Sequence, residues 1–349
     1  MISRSFISSL LAGLACLSIA GPASSDDKTL YFAMNGGSEE KAYREHVFPL
    51  FEQATGLRVE VVPGTSSDIL AKLRAQKDNP QMHVVMLDDG LMQRAVAMGL
   101  CQKTAPSPAM NDLYPIAHFK DDMAIGVGIM LTGLGYNKKM FDEKGWAPPS
   151  SWMDLTDPKY KDMVVVQSAI SSTFGLDAFL MYNRILGGDE KNVEPGFATW
   201  PQAIGPNVLE YTPNSAKIAQ MAQTGEVAVF PMSQGLVWNM QQRGVPIAFA
   251  QPKEGSVLGM VVECVVANNP SPEAAQKLAA FLLTPEAQEA MLRYGRQMPS
   301  NRTAKAPPDF AADAAQFRDR VASAVLLDWG VINERRPVWN RRWNREIEQ

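Results

Sequence analysis

The stretch HVVMLDDGLMQRAVAM, from His83 to Met98, changes its period in the middle. Up to Leu87 it is an apolar run of strand length. After Asp88, Asp89 and Gly90 the apolar residues Leu91, Ala95 and Met98 fall three and four apart, the spacing of one helical face. Strand, polar turn and helix follow one another within sixteen residues. The same unit recurs along the chain. TLYFAM precedes a helical pattern with Tyr43, Val47, Leu50, Phe51 and Ala54, and LRVEVV precedes Ile69, Leu70 and Leu73. MVVV precedes Leu176, Phe179, Leu180 and Leu186, and EVAVF precedes a helix around Trp238. Strand then helix, repeated, predicts an α/β fold with mainly parallel sheets.

The totals set limits. At 349 residues the chain has the length of about two domains of roughly 150 residues each. Apolar content of 46% and charged content of 20% are those of an ordinary globular protein. A formal charge of −4 argues against a nucleic-acid surface, which needs a basic excess. The first 25 residues stand apart. Arg4 is their only charge, an apolar run extends from Phe6 to Ile19, and AGPASS follows, the pattern of a cleaved secretory signal. The expected cut lies between Ser25 and Asp26, with a cut after Ala23 and lipidation at Cys16 as alternatives. Residues 1–25 are thus expected to be a signal peptide and the mature chain to be exported. Cys101 and Cys264 then remain. Their even number permits one bridge, but the apolar strand around Cys264 favours a thiol packed as a small hydrophobe.

A search for chemistry finds little. His46, His83 and His118 are widely separated, without the spacing of a zinc helix or a Cys-x-x-Cys motif. No Gly-x-Ser-x-Gly elbow marks a serine nucleophile. The glycine pairs Gly126/Gly128 and Gly133/Gly135 lack the third glycine of a dinucleotide loop, and suit a strand passing through a crowded crossing instead. Asp88 and Asp89 form an acid pair, in which Asp89 is the expected helix cap. The chain does carry five polar loops, each between a strand and a helix: NGGSEE (Asn35–Glu40), GTSSD (Gly64–Asp68), DDG (Asp88–Gly90), AISSTFG (Ala169–Gly175) and PMSQG (Pro231–Gly235). In open α/β sheets ligands bind at the carboxyl ends of strands, where helix N-termini offer free N–H groups. Five such loops in two halves point to a cleft between two lobes.

The segment GLGYNKKMFDEKGWAPPSSWMDLTDPKYKDMVVV resembles the periplasmic substrate-binding proteins of bacterial ABC importers, within the cluster of spermidine/putrescine, iron(III) and thiamine binders. The passage from VPIAFAQPKEGSVLGM to SPEAAQKLAAFLLTPEAQ and the tail DWGVINERRPVWNRRWNREI are similar to the same family. The resemblance implies a two-lobed type II periplasmic-binding-protein fold. Each lobe is then a mainly parallel sheet flanked by helices, with the ligand cleft between lobes that close about a hinge. It implies lobe one at 26–132 plus 252–300, lobe two at 133–251 plus 301–349, and crossings near Gly126–Tyr136 and Gln251–Gly259. The implied work is capture of a small-molecule solute in the periplasm and delivery to an inner-membrane ABC permease, by a monomer, with no cofactor, metal, nucleic acid or catalytic step. An exported hydrolase is the rival class.

The expected ligand-binding residues are Asn35, Gly37, Ser38, Ser66, Asp88, Asp89, Ser171, Ser172, Thr173, Ser233 and Glu263. Asp88, Asp89 and Glu263 suit an ammonium group; Ser171, Ser172 and Thr173 at a helix start suit a carboxylate, phosphonate or phosphate. The preferred ligand is therefore amine-bearing, polyamine-like or zwitterionic. The alternatives are an anion such as a phosphonate or organic phosphate, and iron(III) or thiamine. Trp238, Phe174 and Tyr31 are candidate stacking residues. Glu263, the one charge in SVLGMVVECVV (Ser256–Val266), is expected to face a cationic group of the ligand, with pairing to a buried arginine as the structural alternative. The arginines of the tail are expected to form a solvated face.

Overall fold

The structure, a computed structural model, describes residues 28–348; the signal-peptide reading of residues 1–25 lies outside them. Twelve strands follow in chain order: β1 (Thr29–Met34), β2 (Arg58–Pro63), β3 (Val84–Asp88), β4 (Cys101–Gln102), β5 (His118–Phe119), β6 (Ala124–Asn137), β7 (Val164–Gln167), β8 (Val208–Thr212), β9 (Val229–Ser233), β10 (Ile247–Ala250), β11 (Val257–Val266) and β12 (Met298–Pro299). The main order is β2-β1-β3-β11-β6-β9-β7-β8. At one end β2, β1 and β3 are parallel, and at the other β9, β7 and β8 are parallel. Between them β6 and β11 run antiparallel to each other and to their neighbours. This is the two-lobed fold: two parallel sheets joined by strands that belong to both.

Strand β6 makes the join. Its first half pairs with β11, from Val257↔Thr132 to Glu263↔Ile125, and its second half pairs with β9 from Thr132↔Ser233 onward. Register slips by one residue between Val261 and Val262, a bulge at Val127 that bends the strand. The crowding expected at the β6 glycines is present. A Cβ on Gly128 would lie 2.1 Å from the Gln297 amide, so the Gln297 side chain would have to move to admit one. A third strand-like pass accompanies this pair: Val325 N donates to Ser256 O, and Leu258 N to Val325 O.

Each lobe has its own core. Phe32, Phe51, Val85, Ile129, Val262 and Leu278 belong to the first, and Phe141, Trp152, Phe179, Trp200 and Trp343 to the second. Along β7 the residues alternate. Val164 and Val166 enter the second core, while Val165 joins Phe230, Met232 and Ile247 on the opposite face. That is how a strand covered on both sides comes to read as MVVV. The tail divides between the lobes, unlike its expected place wholly in lobe two. Phe310, Ala314 and Phe317 pack in the first core, and only Leu327, Trp329, Ile332, Trp339 and Trp343 pack in the second.

Cys101 and Cys264 are bridged, with Cα atoms 5.7 Å apart, against the expectation of a packed free thiol. The apolar character of the strand did describe Cys264, which is buried, but β4 pairs with β11 and brings Cys101 alongside it. A bridge across 163 residues restricts the unfolded chain more than the folded one. Replacing both cysteines by alanine should lower the unfolding free energy by about 2–4 kcal/mol in urea titrations. A change below about 1 kcal/mol would show that the link contributes little.

Glu263 lies in the first core with no exposed surface, and neither carboxylate oxygen has a hydrogen-bond partner among the described residues. The structural alternative, pairing to a buried arginine, does not hold among the described residues. Strand β11 runs antiparallel to β3, so Val261 sits opposite Asp88 while Glu263 sits opposite Met86, two residues deeper in the lobe. No described arginine or lysine pairs with it. Burial pushes its pKa well above 4.5, so it is held as the neutral acid. An acid whose folded pKa is raised supports folding below its unfolded pKa and loses that support as pH rises. Glu263→Met should therefore stabilise the protein, by about 1–3 kcal/mol, and by more at pH 8 than at pH 5. Equal shifts at both values, measured by thermal and urea unfolding, would show that the carboxyl is not titrating with folding.

Candidate functional site at the seam between the lobes

Parallel pairing of β1 with β2 and with β3 brings the ends of all three strands to one edge. That edge carries Asn35, Ser66 and Asp88. Ser66 starts the helix Ser66–Ala75, which Thr65 caps through a reciprocal bond pair with Asp68. Ser66 Oγ donates to Asn35 Oδ1 at 3.3 Å and accepts from Asp88 N at 3.2 Å. The Asp88 carboxylate lies close to the side chains of Ser66 and Asn35 in its own lobe and to Thr173 in the other, all of which favour its charged form. The lobes thus meet directly over Asp88.

The second lobe presents β7 and β9 in the same sense. After β7 comes the helix Thr173–Ile185, capped by Ser172 Oγ, which accepts from Phe174 N at 3.1 Å. After β9 comes the helix Gln234–Gln242, capped by Ser233 Oγ, which accepts from Leu236 N at 3.4 Å. On the first helix, in its second turn, Asp177 is 1% exposed and lies beside the Thr132 side chain of β6. Its Oδ1 has no partner. At the ends of these strands Gln167 Nε2 and Gln234 Oε1 are likewise buried without partners.

Four carboxyls line this seam and titrate abnormally. Burial, with Asp88 nearby, pushes Glu39 up to about 7 and Asp89 up to about 8. Burial raises Asp177 to about 7 against the opposing pull of Thr132 and Arg336. Asp88 is raised by burial, although Arg336 and its hydrogen bonds act the other way. In each case the charged form lacks the solvation or the countercharge it needs. Arg336, in the helix Trp329–Glu346, is the cation that interacts with both Asp88 and Asp177.

Of the expected residues, the fold gathers Asn35, Ser66 and Asp88 into one hydrogen-bonded group, with Thr173 of the other lobe close by. Asp89 does not cap its helix. Asp88 occupies the cap position, and the Asp89 carboxylate turns to the hinge, accepting from Gly90 N at 2.8 Å and Met260 N at 3.3 Å. A cavity of about 500 Å³ opens beside it, and none of Asn35, Ser66, Asp88, Thr173 or Asp177 lines that cavity. Ser172 and Ser233 are occupied in capping, Ser171 and Gly37 are exposed, and Ser38 is half-buried at a helix start. Glu263 stands outside the group. The stacking candidates are also used elsewhere: Trp238 packs edge-on against Phe310 at 4.6 Å, and Tyr31 stacks on His83.

Glu39, Thr132, Asp177 and Arg336 were not foreseen. Asp177 did leave a trace, a charge inside the apolar face of Leu176, Phe179 and Leu180. Arg336 left none, since it is one of five arginines in the tail, and it corrects the expectation of a solvated face: it is half-buried and donates to the Ala169 and Ile170 carbonyls at 3.3 and 3.4 Å. Among the described residues no group of three or more His, Cys, Asp or Glu side chains converges to hold a metal ion. The carboxyls are spread along the seam.

Residues 49–318 match the model of a family described as bacterial extracellular solute-binding protein. The chain is 28% identical to a spermidine/putrescine-binding periplasmic protein of Salmonella typhimurium, over 89% of each chain. It is 27% identical to a putative 2-aminoethylphosphonate-binding periplasmic protein of the same organism, over 83% of this chain and 85% of that one. Its fold superposes on the crystal structure of an ABC transporter from Clostridium perfringens with a TM-score of 0.75 at 21% identity, covering 91% of this chain and 99% of that one. The matched residues span both lobes and both crossings, and on that ground the chain belongs to the bacterial extracellular solute-binding protein family.

Proposed function

We propose that this protein is the periplasmic solute-binding component of an ABC importer, that it captures a small amine-bearing solute at the seam between its lobes, and that it passes the solute unchanged to a membrane permease. The observation that carries the amine is the buried, unpartnered Asp177 Oδ1, facing a seam that also holds Asp88, Asp89 and Glu39. Buried carboxyls with raised pKa values are groups lacking a countercharge. An ammonium group supplies one, together with three hydrogen-bond donors. Both curated relatives cited above are named for amines, one a polyamine and one an aminophosphonate, which supports the same class. Binding across two lobes stabilises the closed arrangement in which Thr173 lies close to Asp88. Nothing in this arrangement calls for a nucleophile or a cofactor.

One observation favours an anionic group on the same solute. The helix Thr173–Ile185 directs its N-terminus to the seam, and such termini attract negative charge. A zwitterion would use both features.

Calorimetric titration of the mature protein with putrescine, spermidine, 2-aminoethylphosphonate, methylphosphonate and iron(III) citrate tests the proposal. Saturable binding of at least one amine is expected, weakened tenfold or more by Asp88→Asn or Asp177→Asn. Binding of methylphosphonate or iron(III) citrate alone would overturn it. An arriving cation pulls the raised carboxyl pKa values down, so the acids near 7 and 8 should release protons on binding at pH 7. The heat should then vary with the ionisation enthalpy of the buffer, and affinity should fall as pH drops from about 8 to 5. A buffer-independent heat would show that these carboxyls do not face the ligand.

A further inference from the structure

The cavity beside Asp89 is separate from the seam. Its floor is Leu258 and Met260, two apart on β11 and so on one face of that strand. Val261, which sits opposite Asp88 at the rim, points to the other face. One wall is the helix Asp89–Ala97, which brings Asp89, Gln93 and Val96 to the cavity at spacings of four and three. The other wall is Leu327 and Trp329, which follow the pass of Val325 along β11. Val96, Leu258 and Met260 belong to the first core, and Leu327 and Trp329 to the second. The space of about 500 Å³ therefore lies where the two cores adjoin, and it has the size of a small-molecule site.

One group in this chamber is a buried acid. Asp89 follows Asp88 at the rim, but its carboxylate turns away from the seam and is 6% exposed. The backbone fixes it, since Oδ1 accepts from Gly90 N at 2.8 Å and Oδ2 from Met260 N at 3.3 Å. Each carboxylate oxygen can accept two hydrogen bonds, so half of its capacity is unused. No cation among the described residues pairs with it. Lys120 lines the mouth but is exposed, and His118 is held by Asp122 Oδ1 at 2.7 Å. The floor and the Trp329 ring are apolar. An ammonium group would give Asp89 the charge and the donors it lacks, and an apolar body would remove the walls from water.

We propose that this cavity is a second ligand site, distinct from the seam, and that it takes a small apolar monoamine, with the ammonium group on Asp89 and the body against Leu258, Met260 and Trp329. The site goes beyond the function proposed above and does not depend on which solute the seam takes.

Calorimetric titration of the mature protein with tryptamine, indole and indole-3-propionate tests the site. The three share a ring that can pack against Trp329 and differ in charge. Saturable binding of tryptamine is expected, at least tenfold tighter than that of either other compound. Asp89→Asn keeps an acceptor oxygen but removes the charge, and should weaken tryptamine tenfold or more. Ile116→Trp, at a half-buried position of the lining, should fill the chamber and abolish binding, and Gln93→Trp serves if that variant does not fold. Asp177→Asn tells the chamber from the seam, and should move the tryptamine Kd less than threefold. No binding of tryptamine, or indole-3-propionate binding as tightly as tryptamine, would overturn the inference and leave the seam's amine reading intact, since other solutes test that. Tryptamine binding that survives the filling variants but is lost in Asp177→Asn would also overturn it, by placing the amine at the seam.

Discussion

The backbone ladder between β6 and β11 is the constraint on which the two lobes depend. From Val257↔Thr132 to Glu263↔Ile125 these strands lie side by side, and each then pairs with the sheet of a lobe: β11 with β3, and β6 with β9. The ladder holds the first half of β6 in the first lobe, and the same strand runs on into the second lobe beside β9. The side chains along it must be small where other elements cross, which is the work of Gly128 beneath Gln297. Because β6 runs unbroken from one sheet to the other, the strand ends that carry Asn35 and Asp88 face those that carry Thr173 and Ser233 at the seam. The docking of Val325 against Ser256 and Leu258 adds a third pass, and with it the helix that delivers Arg336.

Electrostatics at that gap are unbalanced in a way the cores are not. The cores bury apolar groups at little electrostatic cost, and the polar groups they contain are mostly paired. At the seam, acids from both lobes share one arginine, and the consequence is a set of raised pKa values with a common cause. Proteins hold such groups where the energy is recovered on binding. Glu263 shows the contrast. It too is buried and raised, but it lies two residues below the rim, beside the core rather than the seam, and only burial acts on it. Its position is a cost to stability without access to a ligand.

Much of the architecture was legible in the sequence because it rests on local periodicity. Apolar runs of strand length followed by helical spacing marked most of the principal strands, and the polar strand-to-helix loops marked the helix starts at Thr173 and Gln234. The loops at strand ends were legible for the same reason, and four residues chosen from them, Asn35, Ser66, Asp88 and Thr173, do meet. Others chosen by the same rule, Ser172 and Ser233, turned inward to cap their own helices, since a hydroxyl at that position satisfies the nearest free N–H first. Alternation along a strand gives the face on which a residue lies, not its depth; Glu263 was placed one pleat too near the cleft for that reason.

By itself the sequence determined the strand–turn–helix repeats, the α/β class, the absence of a recognisable nucleophile or phosphate-loop motif and the family resemblance, because each is a property of neighbouring residues or of their order. The tertiary structure decided what depends on distant parts of the chain. It joined Cys101 to Cys264, and it divided the tail between the cores. It turned Asp89 to the hinge, and it brought Arg336 to the Ala169 and Ile170 carbonyls. A charge can be read from the sequence, but its solvation and its partner are set by whatever packs against it. In this protein those neighbours come from the opposite lobe and from the last helix of the chain.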